Sequence, residues 1–194
     1  MLRIGILASH QGTNFQNIAN ACAEGSLNAR VVILICNNSN APVMKRASHM
    51  QIPAYHLSTW THSEAFSLDA AIYEHLTKAQ VQLVVLAGYM KKLGSLVLDR
   101  FAGRIINVHP SLLPKHGGQG YFGMRVHKAV IADGDKETGA TVHHVIEKYD
   151  RGSTIRQEKI SVSVEDTAET INQKVQLIEH RLLIETIKEF SENP

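Results

Sequence analysis

Asn107 and His109 stand two residues apart within Arg104-Ile105-Ile106-Asn107-Val108-His109-Pro110-Ser111-Leu112-Leu113-Pro114. In a strand, that spacing sends both side chains to one face. An amide offers hydrogen bonds without titrating, while an imidazole exchanges a proton near neutral pH. Ile105 and Ile106 continue an apolar, β-branched run, which predicts a strand buried on both faces. Pro110 and Pro114 stop that strand and stiffen its exit. An amide and an imidazole are thus held side by side where a strand gives way to a loop, the place where open α/β sheets bind ligands. Spacing alone leaves a second reading open, a polar turn after a core strand.

The turn Gly12-Thr13-Asn14 is the other candidate. It follows the apolar run 2–8 and precedes Phe15, Ile18, Ala19 and Cys22 at helical spacing, so strand, tight turn and helix are expected. Free backbone N–H groups and the helix dipole favour an anion there. Gly12 lets the backbone approach a ligand closely, and Thr13 and Asn14 can either cap the helix or bind phosphate oxygens. This turn has neither G-x-G-x-x-G nor the Walker pattern with its Lys, which argues against a dinucleotide site or a P-loop.

Alternating elements must carry these residues. Arg30–Cys36 and 82–88 read as further buried strands, 53–57 as a short one, and 41–50, 63–79 and 96–101 as helices. After Pro114 comes the glycine-rich loop 115–123, expected to be mobile and close to the site, and then a helix at 126–132 carrying His127. Segments 139–145 and 153–162 predict two antiparallel strands, and Asp166–Phe190 a long closing helix. The fold class expected is α/β: one domain over 1–194 with a doubly wound, mostly parallel sheet, antiparallel strands toward the C-terminus and a long C-terminal helix.

Composition sets the remaining bounds. The chain has 194 residues, 44% hydrophobic and 20% charged, the balance of a globular protein. A formal charge of +2 and the lack of Lys/Arg runs speak against nucleic-acid binding. Cys22 and Cys36 lie in expected core elements and make no disulfide framework. Ser9-His10-Gln11-Gly12 interrupts the apolar start, so neither a signal peptide nor a membrane span is expected, and a cytoplasmic location follows as the default. The histidines at 10, 49, 56, 62 and 75 lack metal-ligand spacing and read as surface or core residues, so no metal is expected.

With these residues in place, the chain resembles the glycinamide ribonucleotide formyltransferases, which use 10-formyltetrahydrofolate in purine synthesis. The likeness runs through nearly the whole chain, in order. It takes in Gly12-Thr13-Asn14, Leu86-Ala87-Gly88-Tyr89-Met90, the 106–114 run, Val126-His127-Lys128-Ala129, Thr138–His143, Asp150–Gly152 and Glu179-His180. The Asn-x-His-Pro-Ser-Leu-Leu-Pro run marks the wider formyltransferase superfamily, and the Gly-Thr-Asn turn narrows it to this branch.

The resemblance implies a catalytic trio of Asn107, His109 and Asp150. Formyl transfer suits these types: the amide stabilises an oxyanion, the imidazole serves as acid–base, and the carboxylate favours the charged imidazole or orients a water. Asp150 on its own reads as a turn residue before Gly152. The resemblance also implies glycinamide ribonucleotide at Gly12, Thr13 and Asn14, with Gln176 and Glu179 reaching its glycinamide end. The folate would pack against Met90, Lys91, Lys92 and Leu93 and against Ile146, Glu147, Lys148, Tyr149 and Asp150, beside Asn107. His143 matches a position near the site, and His144 reads as structural. The first half, about 1–100, would hold the nucleotide phosphate and the second, about 101–194, the folate and the chemistry. A monomer or homodimer is expected.

Departures from the family pattern touch the substrate contacts rather than the trio. Ser9-His10-Gln11-Gly12 stands where many members have Ser-Gly-Asn-Gly, and Ser63 precedes Glu64 where some carry a nucleotide-binding Arg. Lys91 replaces a common Arg and cannot form its bidentate fork. The 115–123 loop is longer than in the best-known members, and Asp150-Arg151-Gly152-Ser153 replaces Asp-x-Gly-Pro. A 10-formyltetrahydrofolate deformylase would share the trio but usually adds an N-terminal regulatory domain, whereas the first strand here begins at residue 2. A methionyl-tRNA formyltransferase would need a further C-terminal domain and a basic surface. A non-catalytic nucleotide- or folate-binding module is the remaining alternative.

Overall fold

The computed structural model describes residues 1–192. The strands are β1 (Leu2–Ala8), β2 (Ala29–Cys36), β3 (Ala54–His56), β4 (Leu83–Leu86), β5 (Ile105–His109), β6 (Glu137–His144) and β7 (Thr154–Ser161). The helices are α1 (Thr13–Ala23), α2 (Pro42–His49), α3 (Ala65–Lys78), α4 (Ser95–Arg100), α5 (Met124–Ala132) and α6 (Ala168–Glu192). One seven-stranded sheet runs β3-β2-β1-β4-β5-β6-β7. The first five strands are parallel, and β6 and β7 add antiparallel pairs at one edge, as expected.

Side-chain alternation explains the layering. Ile4, Ile6 and Ala8 of β1, Leu83 and Val85 of β4, and Ile106 and Val108 of β5 share one core with Phe15 and Ile18 of α1, Val43 of α2, Val130 of α5 and Ile171 and Val175 of α6. Leu7, Val84, Leu86 and Ile105 point the other way, against Ile72 and Leu76 of α3 and Val97 of α4. Each fully buried Ile or Leu contributes about 1.5–3 kcal/mol relative to an exposed one, so a one-residue slip of β5 would reverse both cores. Asn107 and His109 fall on the Ile105 face, because the pleat leaves Ile106 and Val108 to the opposite one.

Chain order reverses direction across the sheet between β1 and β4, and the loops leaving their carboxyl ends open a crevice there. Element bounds differ from the sequence expectation by a residue or two. The helix expected from Asp166 starts at Ala168, because the Asp166 carboxylate accepts the Ser163 N–H (2.9 Å) and a Lys174 Nζ hydrogen (2.7 Å) ahead of it. The helix expected from Ala41 starts at Pro42, whose fixed φ suits the first helical position. Among the described residues no helix is long and apolar enough to cross a membrane.

Candidate active site

Ser9 joins two strand ends. Its hydroxyl donates to Asn37 Oδ1 (2.6 Å) and accepts the Met90 backbone N–H (2.9 Å), while its own N–H donates to the Gly88 carbonyl (3.1 Å). The turn after β1 and the stretch after β4 therefore form one wall. Gly12 takes φ +73°, and a Cβ there would lie 2.3 Å from Val43 Cγ2, so only glycine brings the backbone round this tightly.

Of the two roles open to Thr13 and Asn14, capping is not what the structure shows: helix α1 has no side-chain cap bond, and its N-cap is Gly12. Thr13 Oγ1 instead accepts from Gln176 Nε2 (2.9 Å), and Asn14 Nδ2 approaches Glu179 Oε2 (3.5 Å). The long α6 thus reaches the turn through Gln176 and Glu179. The uncapped first N–H groups of α1 stay available to an anion.

Asn107, His109 and Asp150 meet although β5 and the loop after β6 are far apart in sequence. Antiparallel pairing sets Asn107 opposite His143 and His109 opposite Thr141. Asp150 sits in the loop between β6 and β7, in a left-handed conformation (φ +51°). Gly152 follows with its backbone against the His144 carbonyl, where a Cβ would come within 1.7 Å. The Asp150 carboxylate lies between two imidazoles, with Oδ2 3.6 Å from His109 Nδ1 and Oδ1 3.5 Å from His143 Nε2, and Oδ2 accepts the Gly118 N–H at 2.8 Å.

His109 is 4% exposed and donates from Nε2 to the His116 carbonyl at 2.7 Å. A carbonyl only accepts, so the neutral ring carries its hydrogen on Nε2 and presents a lone pair at Nδ1, toward Asp150. Burial pulls the His109 pKa below the usual imidazole value; the Asp150 charge and the His116 carbonyl oppose this, and His143 and His116 add to it. Burial pushes the Asp150 carboxyl up, but His143, His109 and the Gly118 N–H outweigh it and hold the group below the usual carboxylate range. A carboxylate that stays charged beside a largely neutral imidazole can receive or steady a proton moving through that ring.

The cleft over these groups has a volume of about 690 Å³ and runs from His10, Gly12 and Thr13 to Tyr149 and Asp150. All the residues expected at the nucleotide and folate positions line it. Desolvation pushes Glu179 up to about 7, against the Asn14 contact, so its carboxyl can exchange a proton near neutral pH. Lys92 Nζ lies 5.5 Å from the Tyr149 ring centroid, linking the two walls expected to hold the heterocycle.

Gly118 to Gly123, including Tyr121 and Phe122, form part of the cleft wall, so the glycine-rich loop lies close to the site as expected. The structure also adds residues that spacing did not reveal. His10, read as a surface or core histidine, stands in that wall with Nε2 3.2 Å from Met90 Sδ. His127 also lines the cleft and is 1% exposed. Spacing gives this histidine no partner, and only its place in the Val126-His127-Lys128-Ala129 stretch of the family likeness singles it out. His144 packs against Phe190, in line with a structural role. Among the described residues, no group of three or more His, Cys, Asp or Glu could hold a metal ion.

A family model described as Formyl transferase matches residues 2–187. The chain is 38% identical to the phosphoribosylglycinamide formyltransferase of Haemophilus influenzae, over 99% of this chain and 88% of that one. It is 34% identical to the Bacillus subtilis protein of the same name, over 97% and 94%. The crystal structure of glycinamide ribonucleotide transformylase 1 from Symbiobacterium toebii superposes with a TM-score of 0.93 at 36% identity, covering 100% of this chain and 89% of that one.

Proposed function

The chain belongs to the formyl transferase family, and we propose from that premise that it moves the formyl group of 10-formyltetrahydrofolate to the amine of glycinamide ribonucleotide, a step of de novo purine synthesis. One observation carries the reading: an uncapped helix start at Gly12–Asn14 and a slot between 90–93 and 146–150 open into a single cleft, with Asn107, His109 and Asp150 between them. The nucleotide phosphate sits on the α1 N-terminus, and Gln176 and Glu179 direct the glycinamide amine toward the middle of the cleft. The folate heterocycle occupies the slot on the other side, which brings N10 and its formyl group over β5.

Attack of the amine on the formyl carbon places negative charge on the formyl oxygen. Asn107 supplies a hydrogen there; one of its two amide hydrogens already points to His143, which fixes the plane of the other. The amine gives up a proton and N10 takes one as the C–N bond breaks. His109 Nδ1 is the ring atom that can carry it, since Nε2 is committed to the His116 carbonyl. Asp150 steadies the imidazolium while the proton is held. This reading uses no metal, because the amide and the imidazolium together meet the developing charge. A single catalytic domain, a cytoplasmic location and a monomer or homodimer belong to the same proposal.

Incubation with 10-formyl-5,8-dideazafolate, with and without glycinamide ribonucleotide, tests it. Release of the deformylated folate only when the nucleotide is present is the expected result. Release without it means a hydrolase that uses water as acceptor, and binding without turnover means a binding module.

A further inference from the structure

We propose that His116, held by Asp135, is a positioning residue that decides which nitrogen of His109 handles protons. This rests on the acid–base role given to His109 above. The observation is a continuous line of short contacts. His116 Nε2 lies 2.7 Å from Asp135 Oδ2, and the carbonyl of the same His116 lies 2.7 Å from His109 Nε2. Two residues further on, the Gly118 N–H donates to Asp150 Oδ2 at 2.8 Å. One short span of backbone therefore touches both proton-handling groups.

That span has little stiffness of its own. It opens a loop containing Gly117, Gly118, Gly120 and Gly123, the residue type with the most conformational freedom. His116 moreover holds φ +52°, a region that costs a non-glycine residue energy. Something must keep it there, and the ring does so. It is 7% exposed and packs against the Tyr121 ring, tilted by 53° with centroids 5.8 Å apart. It also ends on Asp135, just past α5, whose second oxygen takes Lys115 Nζ. Asp133, 3.9 Å from the same Nε2, is largely solvent-exposed and contributes less. With the ring pegged, the carbonyl cannot leave His109, and neutral His109 stays in the Nε2–H form with Nδ1 facing Asp150. With the peg removed, the Nδ1–H form becomes accessible and the lone pair turns away from the carboxylate.

The test uses the full chain labelled with ¹⁵N-histidine, without substrates, with the His109 signals identified by their loss in His109→Ala. Wild type is expected to show the Nε2–H form. His116→Phe keeps a ring in the buried slot and Asp135→Asn keeps the shape; both should show mixed tautomers and a kcat lower by roughly 10- to 100-fold, with both KM values within about twofold. His116→Gln, which can still donate to Asp135, should recover most of the loss. Lys115→Met, which removes only the exposed partner of Asp135, should change neither readout. A folded His116→Phe with His109 wholly in the Nε2–H form overturns the proposal, whether or not kcat falls. Wild-type protein that transfers no formyl group counts instead against the function proposed above, and the tautomer measurement still decides the role of His116.

Discussion

Asn107 and His143 face each other across the β5–β6 ladder with the amide Nδ2 3.1 Å from the imidazole Nε2. His143 Nδ1 meets the His144 carbonyl at 2.8 Å, so Nδ1 carries the hydrogen and Nε2 accepts one from the amide. The pair orients the remaining Asn107 hydrogen. Asn107→Ala should lower kcat by roughly 100- to 1000-fold, the usual cost of losing one oxyanion donor. His143→Phe leaves the amide in place but free to rotate, and should cost only about tenfold. Steady-state kinetics on both variants decide this; a His143→Phe enzyme at full rate removes His143 from the account.

Removing the imidazole separates chemistry from binding. His109→Ala should abolish most turnover and leave nucleotide affinity near normal, because the proposed phosphate contacts at Gly12–Asn14 do not include the ring. Titration calorimetry with glycinamide ribonucleotide beside kcat measurements checks both halves. Equal losses of affinity and rate in a folded variant contradict the assignment.

Thr13 reports on the anion site. Its hydroxyl already bonds Gln176, so Thr13→Ala loosens both the turn and α6. One hydrogen bond of about 0.5–1.5 kcal/mol translates into a KM for the nucleotide raised roughly 3- to 10-fold, with kcat little changed. An effect on kcat alone would place the phosphate elsewhere.

At Gly12 the conflict is steric and conformational at once. Gly12→Ala meets Val43 and must hold φ +73°, so a loss of about 1–3 kcal/mol in urea unfolding is expected. Adding Val43→Ala removes the Cγ2 contact but leaves the residue's own Cβ 2.6 Å from the new methyl, so only partial recovery is expected, with the dihedral cost untouched. Full recovery in the double variant would show that the left-handed conformation carries no penalty.

His127 makes the protein sensitive to acid. Burial lowers its pKa from 6.5 to about 4, against a polar contact with Asn172 and with help from His109. The unfolded chain therefore takes up a proton between these values that the native chain refuses, and stability falls as pH drops from about 6.5 through about 4. The loss amounts to at most about 3 kcal/mol from this group. Urea unfolding at pH 7 and pH 5 should show a smaller difference in His127→Leu than in wild type; equal differences would refute the assignment.

The sequence by itself determined the strands and the local pieces of the site. Alternation in the 105–109 run put Asn107 and His109 on one face, and a glycine ahead of a helical pattern gave the anion turn, because both signals are local backbone periods. It also indicated the two C-terminal strands, and its family resemblance pointed to Asp150. Spacing could not place that carboxylate, which reads as an ordinary turn residue. Only the antiparallel addition of β6 beside β5 set Asn107 against His143 and brought the following loop over His109. The roles of His116 and Asp135 were likewise decided in three dimensions. They depend on a backbone carbonyl, whose partner is set by where a loop folds back and not by the side chain that the sequence specifies.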